Sequence, residues 1–208
     1  MQYEDGIGWH RTYWLYGSRF IGGWAGYYQA GKRAPAGRIL VMEDEWVYGF
    51  GRRPQFYRWT TPIEHHLFAV SKEKPPARVE PPNGRRGGGF AVVHQWTRDL
   101  PLFARAMLLS GNTLYLAGPA DNIDEVAVFK NARQFGNELA EQAEAFEGKR
   151  GGLLWIVDAE TGEKRKELKL DTVPVFDGMS AAGKRLFMSM KDGSLSCYRS
   201  PLPLRPKP

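Results

Sequence analysis

The sequence predicts an all-β fold of short antiparallel strands in repeated units, with one inserted α-helix. Three observations carry this. Between Gly151 and Tyr198, apolar runs of five to seven residues alternate with DAETGE, AAGKR and KDGS, whose residues favour turns. Earlier stretches repeat that layout. The 24 Gly and 14 Pro cluster between apolar runs and mark many chain reversals.

Composition sets the outer bounds. At 208 residues the chain is long enough for one large or two small domains with a real core. Its 42% hydrophobic and 25% charged content is that of an ordinary globular protein. A net charge of +6 permits nucleic acid, anionic lipid or acidic glycan as partners and requires none. The basic residues are scattered, with small knots at Arg52-Arg53, Arg85-Arg86 and Lys164-Arg165-Lys166, which read as solvated surface. The single cysteine, Cys197, excludes an intrachain disulfide and a cysteine metal cage. It sits in an apolar alternation and is expected to be a buried packing thiol. No segment has the apolar length needed to span a bilayer, and MQYEDGIGWH does not read as a signal peptide.

Residues 1–36 hold nine aromatics interleaved with glycine, and only Thr12–Tyr16 there suggests a short strand. Loops so aromatic need a surface to pack on. RILVMEDEWVYGFG (38–51) reads as two strands around an acidic turn at Glu43–Glu45, and HHLFAVS (65–71) as a third. Residues 72–89, KEKPPARVEPPNGRRGGG, read as an exposed, mobile excursion outside any core strand. FAVVHQW (90–96) resumes β character. LFARAMLLSGNTLYLAG (102–118) repeats the hairpin, with Ser110-Gly111-Asn112 as its turn. Within the second excursion, 120–150, Phe135, Leu139 and Phe146 lie near one helical face and Gly148 supplies a stop. Strands return at Gly152. In DAETGE, Asp158 can accept backbone N–H groups two residues on, and Gly162 can take a positive φ. Asp192-Gly193 predicts a two-residue hairpin, and PLPLRPKP (201–208) an extended tail.

Three segments overlay by strand order: GRILVMEDEWVYGFG (37–51), ARAMLLSGNTLYLAG (104–118) and DGMSAAGKRLFMSM (177–190). A third strand follows each, HHLFAVS, GLLWIVD and GSLSCYR, and the first two copies add a fourth, FAVVHQW and KRKELKL. Without the excursions the units are roughly 43 to 48 residues long, near the about 40–50 residues of a four-stranded propeller blade. A lone four-stranded sheet cannot bury both faces, so such sheets stack around a channel. The expected architecture is a partial β-propeller of about three four-stranded antiparallel blades over 37–200. Residues 1–36 would pack on it or form part of a blade.

LLWIVDAETGEKRKELKL followed by PVFDGMSAAGKRLFMSMKDGSLSCY resembles the repeats of PQQ-like, quinoprotein-type β-propellers. The likeness is good over 151–198 and fair over 37–71 and 101–118. WHRTYWLYG and PAGRILV are similar to the C-terminal part of large exported bacterial proteins built from those repeats. The resemblance implies a periplasmic or otherwise extracytoplasmic location, and a chain that is a C-terminal fragment of a longer propeller. Its partners would be the remaining blades of a longer chain or another protein. Lys166 stands where quinoprotein enzymes dock blades with a tryptophan. A single cysteine cannot supply the vicinal pair of those enzymes, and no carboxylate-rich calcium site is recognisable. No cofactor is therefore expected; PQQ with calcium belongs to the alternative reading, a quinone-dependent dehydrogenase-like enzyme.

No catalytic constellation stands out, so the role expected is a non-catalytic scaffold or recognition module. His65 and His66 are strand neighbours and point to opposite faces, which argues against a shared metal. No Ser sits in a G-x-S-x-G elbow. The glycines at 87–89 precede a strand, where a phosphate loop would need a helix. Nucleic acid is not an expected partner. The ligand-binding candidates are Trp9, His10, Arg11, Trp14, Tyr16 and Trp24. Aromatic faces beside cations hold sugars or small flat ligands. The same aromatics could instead plug the channel or cover a blade edge.

Overall fold

A computed structural model describes residues 12–13, 33–53, 65–79 and 89–199, which fall into two compact units divided between Arg98 and Asp99. The described chain is mostly β, in antiparallel sheets.

In the first unit, β1 (Thr12–Tyr13) pairs with β2 (Ala36–Gly37). The main sheet comprises β3 (Ile39–Met42), β4 (Trp46–Arg52) and β5 (His65–Ser71) in chain order. A small ribbon then intervenes, β6 (Ala77–Val79) against β7 (Gly89–Ala91), before β8 (His94–Arg98) takes the fourth place in the main sheet. Alternation assigns the two faces. Val47, Phe68 and Val70 cluster with Val92 on one side, while Tyr48, Phe50, Leu67 and Trp96 are buried on the other. Gly49 lies directly across from Phe68, and a Cβ there would come within 2.3 Å of the Phe68 ring. Glycine lets the aromatic ring lie flat on the neighbouring strand.

The second unit opens with β9 (Ala106–Ser110) and β10 (Thr113–Gly118), joined by a tight turn in which Gly111 has φ 57°. The excursion folds as α1 (Glu125–Lys130), a 3-10 turn (Ala132–Phe135) and α2 (Gly136–Glu147). Strands β11 (Gly152–Asp158) and β12 (Lys164–Leu170) complete a four-stranded sheet ordered β12-β11-β10-β9. A third sheet follows, β13 (Pro174–Ala182), β14 (Arg185–Met190) and β15 (Leu195–Arg199). The two sheets of this unit share one core of Tyr115, Leu154, Ile156, Leu186, Met188 and Met190. Their first strands adjoin, and the Asp177 N–H donates to the Arg105 carbonyl at 2.9 Å.

The strand groupings read from the repeats match these sheets, and the third has three strands among the described residues. Asp158 accepts from the N–H groups of Glu160 (2.9 Å) and Thr161 (3.0 Å), and Gly162 sits at φ 72°, as its turn chemistry predicted.

Residues 77–79 and 89, within the expected exposed excursion, do lie outside the main sheet, in an exposed ribbon. Several other expectations are corrected. FAVVHQW is two strands, Gly89–Ala91 in the ribbon and His94–Arg98 in the main sheet. The Asp192-Gly193 hairpin has a three-residue loop: Met190 N–H bonds Ser194 O, and Gly193 takes φ 86°. The Gly193 N–H also donates to Met190 O at 3.1 Å, so a tight turn is closed by a left-handed residue. Helix α2 buries Gln142 and Ala145, whereas Leu139 stays 39% exposed. Gln142 clamps the incoming chain, donating to Ala120 O at 2.9 Å and accepting from Asn122 N at 2.8 Å. Cys197 is exposed on β15, an edge of the three-stranded sheet, rather than buried. No helix among the described residues is long and apolar enough to cross a membrane.

Candidate functional site

Trp9, His10, Arg11, Trp14, Tyr16 and Trp24 all lie outside the described residues. Within them, the tertiary structure assembles two polar groupings, one in each unit.

The first is a cleft in the second unit. Two hairpin ends meet there, Ser110 and Tyr115 from β9–β10, and Ala182 to Leu186 from β13–β14, around a cavity of about 180 Å3. The β13–β14 connection is two residues long, Gly183 and Lys184, and both have positive φ, 57° and 61°. This is the turn whose twist matches an antiparallel hairpin, and it favours glycine or asparagine at both positions. Lysine occupies the second. Arg185 follows, and across the sheet it is paired directly with Arg199 on β15. Lys184, Arg185 and Arg199 are all exposed, and none has an ion-pair partner among the described residues.

A row of the four-stranded sheet shows where a carboxylate charge goes. Ser110 pairs with Thr113, and Thr113 with Asp158. Arg165 donates to Thr113 Oγ1 at 3.1 Å and to the Asp158 carboxylate. Burial pushes the Asp158 carboxyl up, but the Thr161 N–H, the Arg165 guanidinium and the Glu160 N–H outweigh it and hold it below its ordinary range. Asp158 is thus ionised and already engaged by Arg165. Lys166, standing where the resembling enzymes carry tryptophan, is an exposed residue of edge strand β12.

The second grouping is a buried imidazole pair in the first unit. His65 and His66 do face opposite ways: the His65 ring stacks on Phe50 at 5.1 Å, and His66 packs on Phe68 at 5.2 Å. His94 joins His66 at 5.4 Å and Phe68 at 5.3 Å. A β-bulge brings it there, since Ala69 pairs with Trp96 and Val70 with His94. His66 is 3% exposed, and its Nε2 is buried without a hydrogen-bond partner among the described residues. Desolvation, then the neighbouring His94, Arg53 and His65, push its pKa down to about 3. Burial lowers His94 to about 4. Both rings are neutral at pH 7.

Spacing alone could not reveal this pair. His66 and His94 are distant in sequence, and the bulge decides which face His94 takes. The cationic hairpin end was likewise missed, although AAGKR was read as a turn, because Arg199 joins it only through the β14–β15 register. Among the described residues no three His, Cys, Asp or Glu side chains converge as metal ligands, so these residues offer no carboxylate set for a calcium ion.

Fold and site together define a mostly β protein of three- and four-stranded antiparallel sheets with a small cationic cleft between two hairpin ends. No family model and no curated protein matches this chain.

Proposed function

We propose that the chain is a non-catalytic scaffold or recognition module of β-propeller type. It would work as PQQ-like repeats within a larger exported bacterial protein. Its partners would be the remaining blades, in the same chain or another, and its ligand a carbohydrate or small flat molecule. Trp9, His10, Arg11, Trp14, Tyr16 and Trp24 are the proposed aromatic contacts.

One observation carries the reading. In the second unit, two up-and-down sheets share a core and adjoin along their first strands, β9 and β13. Adjoining first strands are what a propeller needs around its channel, and full closure is how such sheets dispose of their edges.

Two measurements test it. Protein incubated with PQQ and calcium, then desalted, is expected to retain no quinone absorbance; stoichiometric, calcium-dependent retention would overturn the non-catalytic reading in favour of a quinone enzyme. Binding to immobilised oligosaccharides is expected to weaken in Trp14→Ala and Trp24→Ala. Unchanged binding in both variants would remove the aromatic segment from the proposal.

A further inference from the structure

We infer that β15 is a docking edge for a second copy of this chain, and that the two copies pair antiparallel through it about a twofold axis at Cys197. This goes beyond the recognition-module reading and does not depend on it.

The backbone ladder decides which groups are free. Met190 N–H donates to Ser194 O at 2.9 Å, and the register runs unbroken from there to the pairing of Arg185 with Arg199. Hydrogen-bonded pairs alternate along an antiparallel ladder, so Ser196 and Tyr198 bond inward to β14. Leu195, Cys197 and Arg199 therefore aim their N–H and C=O groups outward, and β15 ends its sheet among the described residues. Such an edge is a template for another strand, and proteins guard against it with charge, bulges or cover. Other outer edges show those devices. Five of the seven residues of β12 are charged, and β8 is bulged against β5. Strands β9 and β13 adjoin each other. By contrast β15 has no bulge and one charged residue in five, and its Leu195 is 66% exposed.

That edge is complementary to itself. Cys197 is the middle residue of the strand, so a twofold axis there sets Leu195 opposite Arg199 of the second copy at both ends. All three outward residues then exchange both bonds, about six in all. A slip of the register by two residues in either direction loses about a third of them. The two Arg199 charges stay four residues apart along the strands, roughly 13 Å, beyond the about 8 Å range of exposed charges in physiological salt. Each arginine stem covers a leucine that is otherwise in water.

The whole chain is followed by sedimentation equilibrium from about 10 to about 500 µM, the range in which weak contacts form. Two five-residue strands make a contact at the small end of interfaces, so a monomer–dimer equilibrium with a dissociation constant of about 50–500 µM is expected. At the upper concentrations a short bis-maleimide is expected to link the copies through Cys197, because hydrogen-bonded partners have Cα atoms about 5.5 Å apart. Substitutions at exposed Leu195 read the register. Leu195→Glu, opposite the second copy's Arg199, is expected to tighten the dimer severalfold in low salt, and Leu195→Lys to loosen it severalfold. Cys197→Pro removes an outward N–H, leaves the bonds to β14 in place, and is expected to weaken association at least about tenfold. Should that variant fail to fold, the two Leu195 variants carry the test. A chain still monomeric at about 500 µM overturns the inference. So does a dimer that the bis-maleimide does not link, or one that both Leu195 variants weaken or neither alters. Quinone retention or lost oligosaccharide binding bears on the module reading and leaves this edge untouched.

Discussion

Acidification should destabilise the first unit through His66, and the size of the effect follows from its burial. His66 is 3% exposed, and its folded-state pKa is about 3 against an ordinary 6.5. The folded value lies below the unfolded one, so the unfolded chain takes up the proton first. Stability from this group is complete above 6.5 and is lost as pH falls towards 3. Between about pH 7.5 and pH 5 the unfolded histidine gains roughly 1.5 pH units of protonation, a loss of about 2 kcal/mol for one such side chain. The groups around the ring reinforce the direction, since His94, Arg53 and His65 each disfavour a charge on it. His94 adds a loss of the same sign. The assay is urea unfolding followed by tryptophan fluorescence at both pH values, for wild type and His66→Phe. The phenyl ring keeps the packing on Phe68 and removes the titration. The variant should lose about 2 kcal/mol less than wild type over this interval. Equal losses in the two proteins would refute the assignment of acid sensitivity to His66.

Three further outcomes are expected. Gly118→Ala should destabilise by on the order of 3 kcal/mol in chemical denaturation, because its Cβ would sit 1.9 Å from the Phe103 carbonyl oxygen, and backbone cannot step aside. Gln142→Ala removes both hydrogen bonds that clamp Ala120 and Asn122, at a cost of about 1–3 kcal/mol, read as an earlier urea midpoint. Cys197 should react fully with a thiol reagent in the native protein, since it is exposed on the edge strand; protection until unfolding would restore the buried-thiol expectation.

Much of the strand map was legible because its causes are local. Asp158, Thr161 and Gly162 specify their turn through bonds within a few residues, and the structure carries those bonds out. The repeat overlay found the right strands for each sheet because alternating apolar residues must be buried on a shared face. Where the expectation failed, competing local options were close in energy. Asp192-Gly193 supports either a two- or a three-residue loop, and the bond from Met190 to Ser194 selected the longer. Cys197 alternates correctly, but strand period does not say whether a given face is covered.

What the sequence determined by itself is therefore the β character, the turns and the grouping of strands into sheets. The tertiary structure decided which distant side chains meet. A single bulge opposite Ala69–Val70 places His94 beside His66. The β14–β15 register sets Arg185 against Arg199, and two hairpin ends close a cleft beside them. Register and sheet packing are long-range properties, fixed by burying whole faces at once, so no local run of residues encodes them.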